Sequence, residues 1–293
     1  MSSRRPTLLL AVLVLLAGAF TACKSSNDRG TPTTPESLRE AGVVRVGFAN
    51  EAPYAYRDED SGDLTGEAPV IARKVFERMG VPKVEGVLTE FGSLIPGLKA
   101  GRFDIIAAGM YVTPERCEQI AFSEPSYCIG EAFLVRKGNP LDLHSYEDAA
   151  KHDNARLGVV AGTVELGYAE KTGVPSDRIV VFPDPPSALA GVQADRVDAF
   201  AGTSLTVQDL IDKTADDSVE RAEPFTDPVI NGEKAQGCGA FGFRTADEEL
   251  RKAFDTHLAE LLGSDEHEAL VRPFGFTAAD IASRPTTASL CQP

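Results

Sequence analysis

Residues 91–108 read Phe-Gly-Ser-Leu-Ile-Pro-Gly-Leu-Lys-Ala-Gly-Arg-Phe-Asp-Ile-Ile-Ala-Ala, the pattern of a short helix that leads through a turn into a buried strand. Leucine and isoleucine recur at helical spacing in the first part, which predicts a helix over 91–100. The apolar run at 103–108 is typical of a strand that is covered on both faces. A helix joined to a covered strand is the basic unit of an α/β fold.

Strands and helices alternate on both sides of this unit. The first half of the chain also predicts a strand at 43–48, a helix at 67–79 and a strand at 84–89. The second half repeats the pattern with a strand at 155–160, a helix at 162–171, a strand at 179–182, a helix at 186–194 and a strand at 197–200. Such alternation is the mark of parallel βαβ units, so the sequence predicts two small α/β lobes.

The chain is predicted to cross between the two lobes twice. Extended apolar runs at 133–135 and 240–243 lie where these crossings are expected. An amphipathic helix at 248–262 closes the chain. About 250 ordered residues suit one large domain or two of medium size, which agrees with a two-lobed protein.

The N-terminus has the pattern of an export signal. Arg4 and Arg5 precede an apolar run at 8–16, and small residues then lead to Cys23. The run is too short for a transmembrane helix of about 20 residues, so we predict a signal peptide at 1–22. A cysteine after small residues resembles the lipobox of bacterial lipoproteins, which implies an extracytoplasmic protein that is lipidated at Cys23 and anchored to the cell membrane. The alternative is an ordinary signal peptide followed by an unmodified cysteine.

The segment after the predicted signal peptide is polar and the remaining chain is acidic. Residues 23–41 begin with a stretch rich in Ser, Asn, Asp, Gly, Thr and Pro, which predicts a flexible tether. Without residues 1–22, which contain two arginines, 27 basic residues face 44 acidic ones, a net charge of −17. No basic patch with interleaved aromatic residues is present, and we therefore expect no nucleic acid partner.

Four cysteines remain beyond the predicted anchor, at positions 117, 128, 238 and 291. An even number outside the cytoplasm favours two disulfides, and four cysteines allow three pairings among which the sequence does not choose. The four histidines are scattered, and no Cys-x-x-Cys pair accompanies them. We therefore expect neither a metal site nor a cofactor.

Two neighbouring motifs carry a family resemblance. Thr113-Pro-Glu-Arg116 is followed by Ala121-Phe-Ser-Glu-Pro-Ser-Tyr127. This pair resembles the ligand clamp of family 3 extracellular solute-binding proteins of ABC importers. The resemblance implies the two-lobed periplasmic-binding-protein fold of type II and a monomer that delivers its solute to a membrane permease. Lobe I would comprise 42–130 and 238–293, lobe II would comprise 131–237, and the solute would lie in the cleft between them.

The same resemblance implies which residues meet the solute. In that family the arginine at the position of Arg116 holds a carboxylate, for which a planar, always charged guanidinium is well suited. Position matching extends the predicted site to seven residues: Glu51, Tyr54, Phe91, Tyr111, Arg116, Thr163 and Thr203. Thr163 opens a helix, where free N–H groups and the helix dipole favour an anion.

Departures from the amino-acid binders of the family suggest the kind of solute. Those proteins usually carry an aspartate for the α-ammonium where this chain has Thr203, and an aromatic residue where it has Glu51. The rings of Tyr54, Phe91 and Tyr111 suit a delocalised or shielded cation. The strings at 48–54, 65–69, 90–98 and 113–119 resemble ectoine/hydroxyectoine-binding proteins, so we expect a zwitterionic compatible solute of this type.

Other interpretations of these residues remain open. The three rings could be plain core residues of the lobes, Glu51 a solvated loop acid and Thr163 a helix cap. Polar or cationic amino acids are the alternative solutes. A remote alternative is an enzyme that resembles cyclohexadienyl dehydratase, which needs a general acid in the cleft, and Glu51 is the candidate for that role. We expect a binding protein rather than an enzyme.

Overall fold

The computed structural model describes residues 32–292 apart from Asp216, Asn231 and Ser283, and the side chain of Glu233 is not described. The predicted signal peptide, Cys23 and the first part of the tether lie outside the described residues. In chain order the strands are β1 Val43–Phe48, β2 Tyr56–Arg57, β3 Leu64–Thr65, β4 Lys83–Leu88, β5 Ile105–Tyr111, β6 Ala121–Phe122, β7 Tyr127–Ile129, β8 Glu131–Arg136, β9 Leu157–Val160, β10 Ile179–Phe182, β11 Ala199–Thr203, β12 Val219–Arg221, β13 Val229–Ile230, β14 Glu233–Lys234 and β15 Gly237–Phe243.

Twelve α-helices connect or cover the strands within the described part of the chain. They are α1 Pro35–Ala41, α2 Glu67–Arg78, α3 Leu94–Lys99, α4 Pro114–Cys117, α5 Tyr146–Lys151, α6 Val164–Lys171, α7 Pro185–Gln193, α8 Ser204–Lys213, α9 Glu248–Leu261, α10 Asp265–Val271, α11 Ala278–Ala282 and α12 Thr287–Leu290. The predicted helix at 91–100 is divided, because a 3₁₀ turn at Phe91–Ser93 precedes α3. None of the described helices is long and apolar enough to cross a membrane.

Two mixed sheets form the two lobes and confirm the predicted α/β fold. The first sheet has the order β4-β1-β5-β15-β6, and β7 also pairs with β15. The second has the order β10-β9-β11-β8-β12. In each sheet three parallel strands come from βαβ units, and an antiparallel strand pairs with one of them at the crossing between lobes. The residue boundaries proposed for the lobes remain a prediction.

In each lobe, one aspartate links two neighbouring strands of the sheet at an equivalent position. The carboxylate of Asp104 accepts a hydrogen bond from the backbone N–H of Arg45 at 2.8 Å and another from its guanidinium at 2.8 Å. In the second sheet Asp198 accepts from the backbone N–H of Arg156 at 2.9 Å and from its Nε at 3.1 Å. Both aspartates therefore join the turn before one strand to the start of its neighbour, a structural role.

The predicted tether at 23–41 is wrong at its C-terminal end. Residues Pro35–Ala41 form α1, and Leu38 is buried in the core of the first lobe. A capping box explains the helix, because the Thr34 side chain accepts from the backbone of Ser37 and the Ser37 hydroxyl accepts from the backbone of Thr34. The backbone N–H of Thr33 also donates to Asp247 at 2.8 Å, so the lobe holds the chain from this residue onward.

Two disulfides resolve the pairing that the sequence left open. Cys117 pairs with Cys291, which ties α4 to the turn after α12. Cys128 pairs with Cys238 and joins the neighbouring strands β7 and β15 at the crossing between lobes. The first bond therefore fixes the helix that carries Arg116, and the second fixes the strands that lead into and out of the second lobe.

A buried glutamate in α2 makes the stability of the fold depend on pH. Glu67 is 1% exposed, and one of its carboxylate oxygens accepts a hydrogen bond from Ser126 Oγ at 2.6 Å. Burial raises the pKa of Glu67 to about 8. The folded protein thus keeps a proton that the unfolded chain releases above the ordinary glutamate pKa. This contribution to stability is complete in acid and is lost as the pH rises through about 8.

We expect Glu67→Gln to remove this pH dependence, because the amide keeps an acceptor for Ser126 and does not titrate. Its free energy of unfolding should exceed that of the wild type increasingly from pH 5.5 to pH 8, by about 1.4 kcal/mol per pH unit. Urea denaturation at both pH values measures this, with Glu77→Gln on the exposed face of α2 as the control. A gain that is the same at both pH values would contradict the assignment.

Candidate functional site

All seven residues predicted from the sequence line one cavity between the two lobes. The space between the lining atoms is about 290 Å³, part of it open to solvent, and Gly109, Val164 and Glu165 complete the wall. The fold explains why distant residues meet here. Tyr111 and Thr203 end the central strands β5 and β11, and Thr163 follows β9 at the start of α6. The cavity therefore lies outside the carboxyl ends of the strands of both sheets, where α/β folds place ligands.

Arg116 is the cation of this cavity. It is 8% exposed, its Nη1 donates to the backbone oxygen of Tyr111 at 2.7 Å, and its Nη2 donates to the backbone oxygen of Gly162 at 2.9 Å. Burial lowers the pKa of Arg116, but a guanidinium stays charged in a protein. No carboxylate of the described residues forms an ion pair with it. A guanidinium has five N–H donors, so donors remain for the anionic group of a solute.

Phe91 supports this arginine. The guanidinium carbon of Arg116 lies 5.5 Å from the centre of the Phe91 ring, at the distance of a cation–π contact. Phe91 was expected to be a wall against the cation of the solute. One face of the ring instead contacts the guanidinium of Arg116, and this contact orients the arginine toward the cavity.

Tyr54 and Tyr111 belong both to the cavity and to the core of the first lobe. The Tyr54 hydroxyl donates to Thr203 Oγ1 at 2.7 Å, and its ring stacks on Tyr127 at 5.4 Å. Tyr111 is 4% exposed, and its hydroxyl has no hydrogen-bond partner among the described residues. The two interpretations of these rings are thus compatible, since a ring packed into the core on one side can present its other side to the cavity.

Several contacts cross between the lobes and close the cavity. Besides the bond from Tyr54 to Thr203, Thr206 Oγ1 donates to Glu51 Oε1 at 2.8 Å. The backbone of Gly162 approaches that of Gly92 so closely that an added Cβ would lie 2.5 Å from the Gly92 Cα. Gly162 also has a φ of +81°, which favours glycine. The structure is therefore the closed form of the cleft.

The threonines of the site are fixed by short local bonds. Thr163 Oγ1 donates to the backbone oxygen of Val160 at 2.9 Å and makes no capping bond to α6. Thr203 caps α8, because its Oγ1 accepts from the backbone N–H of Thr206 at 3.2 Å. Neither threonine side chain carries charge. The acids that line the cavity are Glu51 and Glu165.

Two acids face one arginine in this cavity, and burial disfavours their charged forms. Burial raises the pKa of Glu51 to about 7, and the hydrogen bond from Thr206 partly offsets the effect. Burial also raises the pKa of Glu165, while the Thr163 hydroxyl and the nearby Arg116 oppose the rise. A cationic group in the cavity would favour the ionised form of both carboxyls.

Sequence reasoning missed Glu165 and Gly109 as parts of the wall. Glu165 lies two residues after Thr163 in the first turn of α6. An acid in that position is common because it complements the helix dipole, and the sequence therefore gave no reason to assign it a further role. Burial is what marks Glu165 as a residue of the site. That burial depends on the closed cleft and has no signal in the sequence.

Comparison with known proteins agrees with the fold. Residues 44–277 match the bacterial extracellular solute-binding proteins, family 3. The chain is 40% identical to a probable amino-acid ABC transporter periplasmic-binding protein of Sinorhizobium fredii, over 94% of this chain and 91% of that protein. It is 27% identical to the lysine/arginine/ornithine-binding periplasmic protein of Escherichia coli, over 90% of this chain and 95% of that one.

Solved structures show the same architecture. EhuB in complex with hydroxyectoine superposes with a TM-score of 0.80 at 40% identity, covering 88% of this chain and 97% of EhuB. An ancestral amino-acid-binding protein, described as a precursor of cyclohexadienyl dehydratase, gives a TM-score of 0.71 at 28% identity over 83% of this chain and 99% of that chain. The protein therefore belongs to family 3 of the bacterial extracellular solute-binding proteins, and it is a transport binding protein of an ABC importer rather than an enzyme.

Proposed function

We propose that this protein captures a small zwitterionic compatible solute of the ectoine or hydroxyectoine type and delivers it to a membrane permease. The observation that carries the proposal is a closed cavity with one guanidinium free of ion pairs, three rings and no acid at Thr203. EhuB, whose hydroxyectoine complex is known, supports the proposal at 40% identity.

The carboxylate of such a solute fits beside Arg116. Two N–H groups of the guanidinium are held by backbone oxygens, one from each lobe, which fixes its plane. The remaining donors lie in a buried site where a charge-assisted hydrogen bond is strong. Because no carboxylate of the described residues pairs with Arg116, a solute carboxylate would complete its coordination.

The cation of the solute fits among the other residues of the wall. Glu51 and Tyr54 line the cavity together with Tyr111, whose hydroxyl has no hydrogen-bond partner among the described residues. An amidinium of the ectoine type combines a delocalised charge, which ring faces attract, with N–H groups that a carboxylate accepts. An α-ammonium would find a threonine at position 203 instead of an aspartate.

Cationic amino acids are the second candidate solutes. Two cavity acids, Glu51 and Glu165, offer acceptors for a side-chain cation in addition to the Arg116 contact for the carboxylate. The relatedness to the lysine/arginine/ornithine-binding protein, at 27% identity, agrees with this candidate.

A titration panel distinguishes the two candidates. We expect ectoine and hydroxyectoine to bind the isolated domain by calorimetry at least tenfold more tightly than arginine, glutamine, proline or glycine betaine, roughly 1.4 kcal/mol. Arg116→Ala serves as the site control. It should weaken binding by roughly 30-fold or more, because the carboxylate of the solute is then buried without a cationic partner. Tight binding of arginine or glutamine without binding of ectoine would contradict the proposal.

We also propose that the mature protein is anchored outside the cell membrane by a lipid on Cys23 and acts as a monomer. The lipobox-like run that ends at Ala22 supports the anchor. The backbone N–H of Thr33 is held by Asp247 of the first lobe, so the proposed tether reaches the lobe within about ten residues of Cys23. Such a tether lets the domain reach a permease in the same membrane.

We expect Cys23→Ser to release the protein from membranes while the purified domain binds its solute as before. Detergent phase separation of membrane fractions measures the partition, and the full-length wild type is the control. If the Cys23→Ser protein still enters the detergent phase, the anchor lies elsewhere in the chain.

A further inference from the structure

Glu165 is a buried acid in the wall of the cavity, and the nearby guanidinium of Arg116 favours its charged form. Glu165 is 4% exposed, and its Oε2 has no hydrogen-bond donor among the described residues. No lysine, arginine or histidine of that part of the chain forms an ion pair with it. A carboxyl group in this state is costly to bury, which indicates that it is retained for a contact made in the cavity.

A second carboxyl group lies directly behind it. Glu131 is 2% exposed, and its side chain shares a hydrogen bond with that of Glu165. Two ionised carboxylates have no donor between them, so this bond requires one proton. The bond raises the pKa of Glu131 and lowers that of Glu165. The pair therefore holds one proton between its two carboxyls, and Glu165 is the member that lines the cavity.

The surroundings of Glu131 favour its protonated form. Burial is the largest cause of its raised pKa, and the carboxylates of Glu165 and Asp227 add to it. Its backbone N–H donates to Asp227 at 2.8 Å, while the Tyr146 hydroxyl donates to its Oε2 at 3.5 Å. Titratable and charged groups face the pair from every element packed against it: Glu51 after β1, Tyr111 of β5, Arg116 of α4, Tyr146 of α5, Tyr168 of α6 and Asp227 before β13.

We infer that Glu165 is a specificity-determining residue that binds the cation of the solute through its N–H groups, and that Glu131 is the positioning residue behind it. The inference rests on the proposed function in one respect, namely that the solute carries both a carboxylate and an N–H-bearing cation. Glu165 then accepts from the cation while Arg116 takes the carboxylate. A quaternary ammonium such as that of glycine betaine has no N–H group and forms no hydrogen bond with this acid.

Glu165→Gln tests the inference because it keeps the size of the side chain and an acceptor for Glu131 but removes the charge. We expect calorimetry to show roughly tenfold or greater loss of affinity for each N–H-bearing solute that the wild type binds among ectoine, hydroxyectoine, arginine and glutamine. Glu170→Gln, an exposed residue of the same helix, is the matched control and should change affinity by less than about twofold. The melting temperature of Glu165→Gln should be equal or higher, since a buried charge is removed.

The role of Glu131 has its own pair of variants. Glu131→Gln retains an N–H donor for Glu165 and should keep affinity within about threefold of the wild type. Glu131→Leu has no donor and should lose roughly tenfold. Rescue by glutamine but not by leucine distinguishes a donor that positions Glu165 from a side chain that only fills space.

The outcomes separate this inference from the proposed function. If the wild type prefers arginine or glutamine and Glu165→Gln weakens that binding, the ectoine proposal fails while the role of Glu165 stands. If the wild type binds ectoine and Glu165→Gln binds it equally well, the role of Glu165 fails alone. A lower melting temperature or loss of folding in Glu165→Gln would make it a structural residue and would also overturn the inference. Binding of none of these solutes by the wild type would overturn both.

Discussion

The placement of one guanidinium determines what the cleft can hold. Arg116 extends from a short helix of the first lobe and donates to the backbone oxygen of Tyr111 in its own lobe and of Gly162 in the other. Because these two bonds reach both lobes, they form only when the cleft is closed. The ring of Phe91 covers one side of the guanidinium. The disulfide from Cys117 holds the helix that carries it. This fixed fork suits the carboxylate that both candidate solutes carry.

Closing the cleft removes charged groups from water, and this disfavours the ionised forms of the acids of the site. Burial raises the pKa of Glu51 to about 7 and raises those of Glu165 and Glu131 as well. In the absence of a solute Glu51 and Glu165 lie in a cavity with one arginine, and a cationic group would favour their ionised forms. The closed form is therefore expected to gain most from a solute that supplies both charges, which couples closure to binding a zwitterion.

The sequence predicted the fold because its signals are local and repeated. The strand at 43–48 and the alternation of βαβ units are set by residues close together in the chain. It also predicted seven residues that line the cavity, because family motifs mark the ends of strands. It could not choose the disulfide pairing, which depends on contacts between distant segments, and it extended the tether over α1, whose burial of Leu38 requires the rest of the lobe. Glu165 was missed for the same reason, since only the closed cleft distinguishes it from an ordinary acid at a helix start.

The carboxylate contact of Arg116 is the central claim, and the solute itself offers the most direct test of it. Calorimetric titration of the isolated domain with ectoine and with its carboxamide compares two molecules of the same shape that differ in the anionic group. The account predicts that the carboxamide binds roughly 30-fold or more weakly, because the buried guanidinium then has no anion to pair with. Equal affinity for the two molecules would show that Arg116 does not hold the carboxylate and would contradict the account.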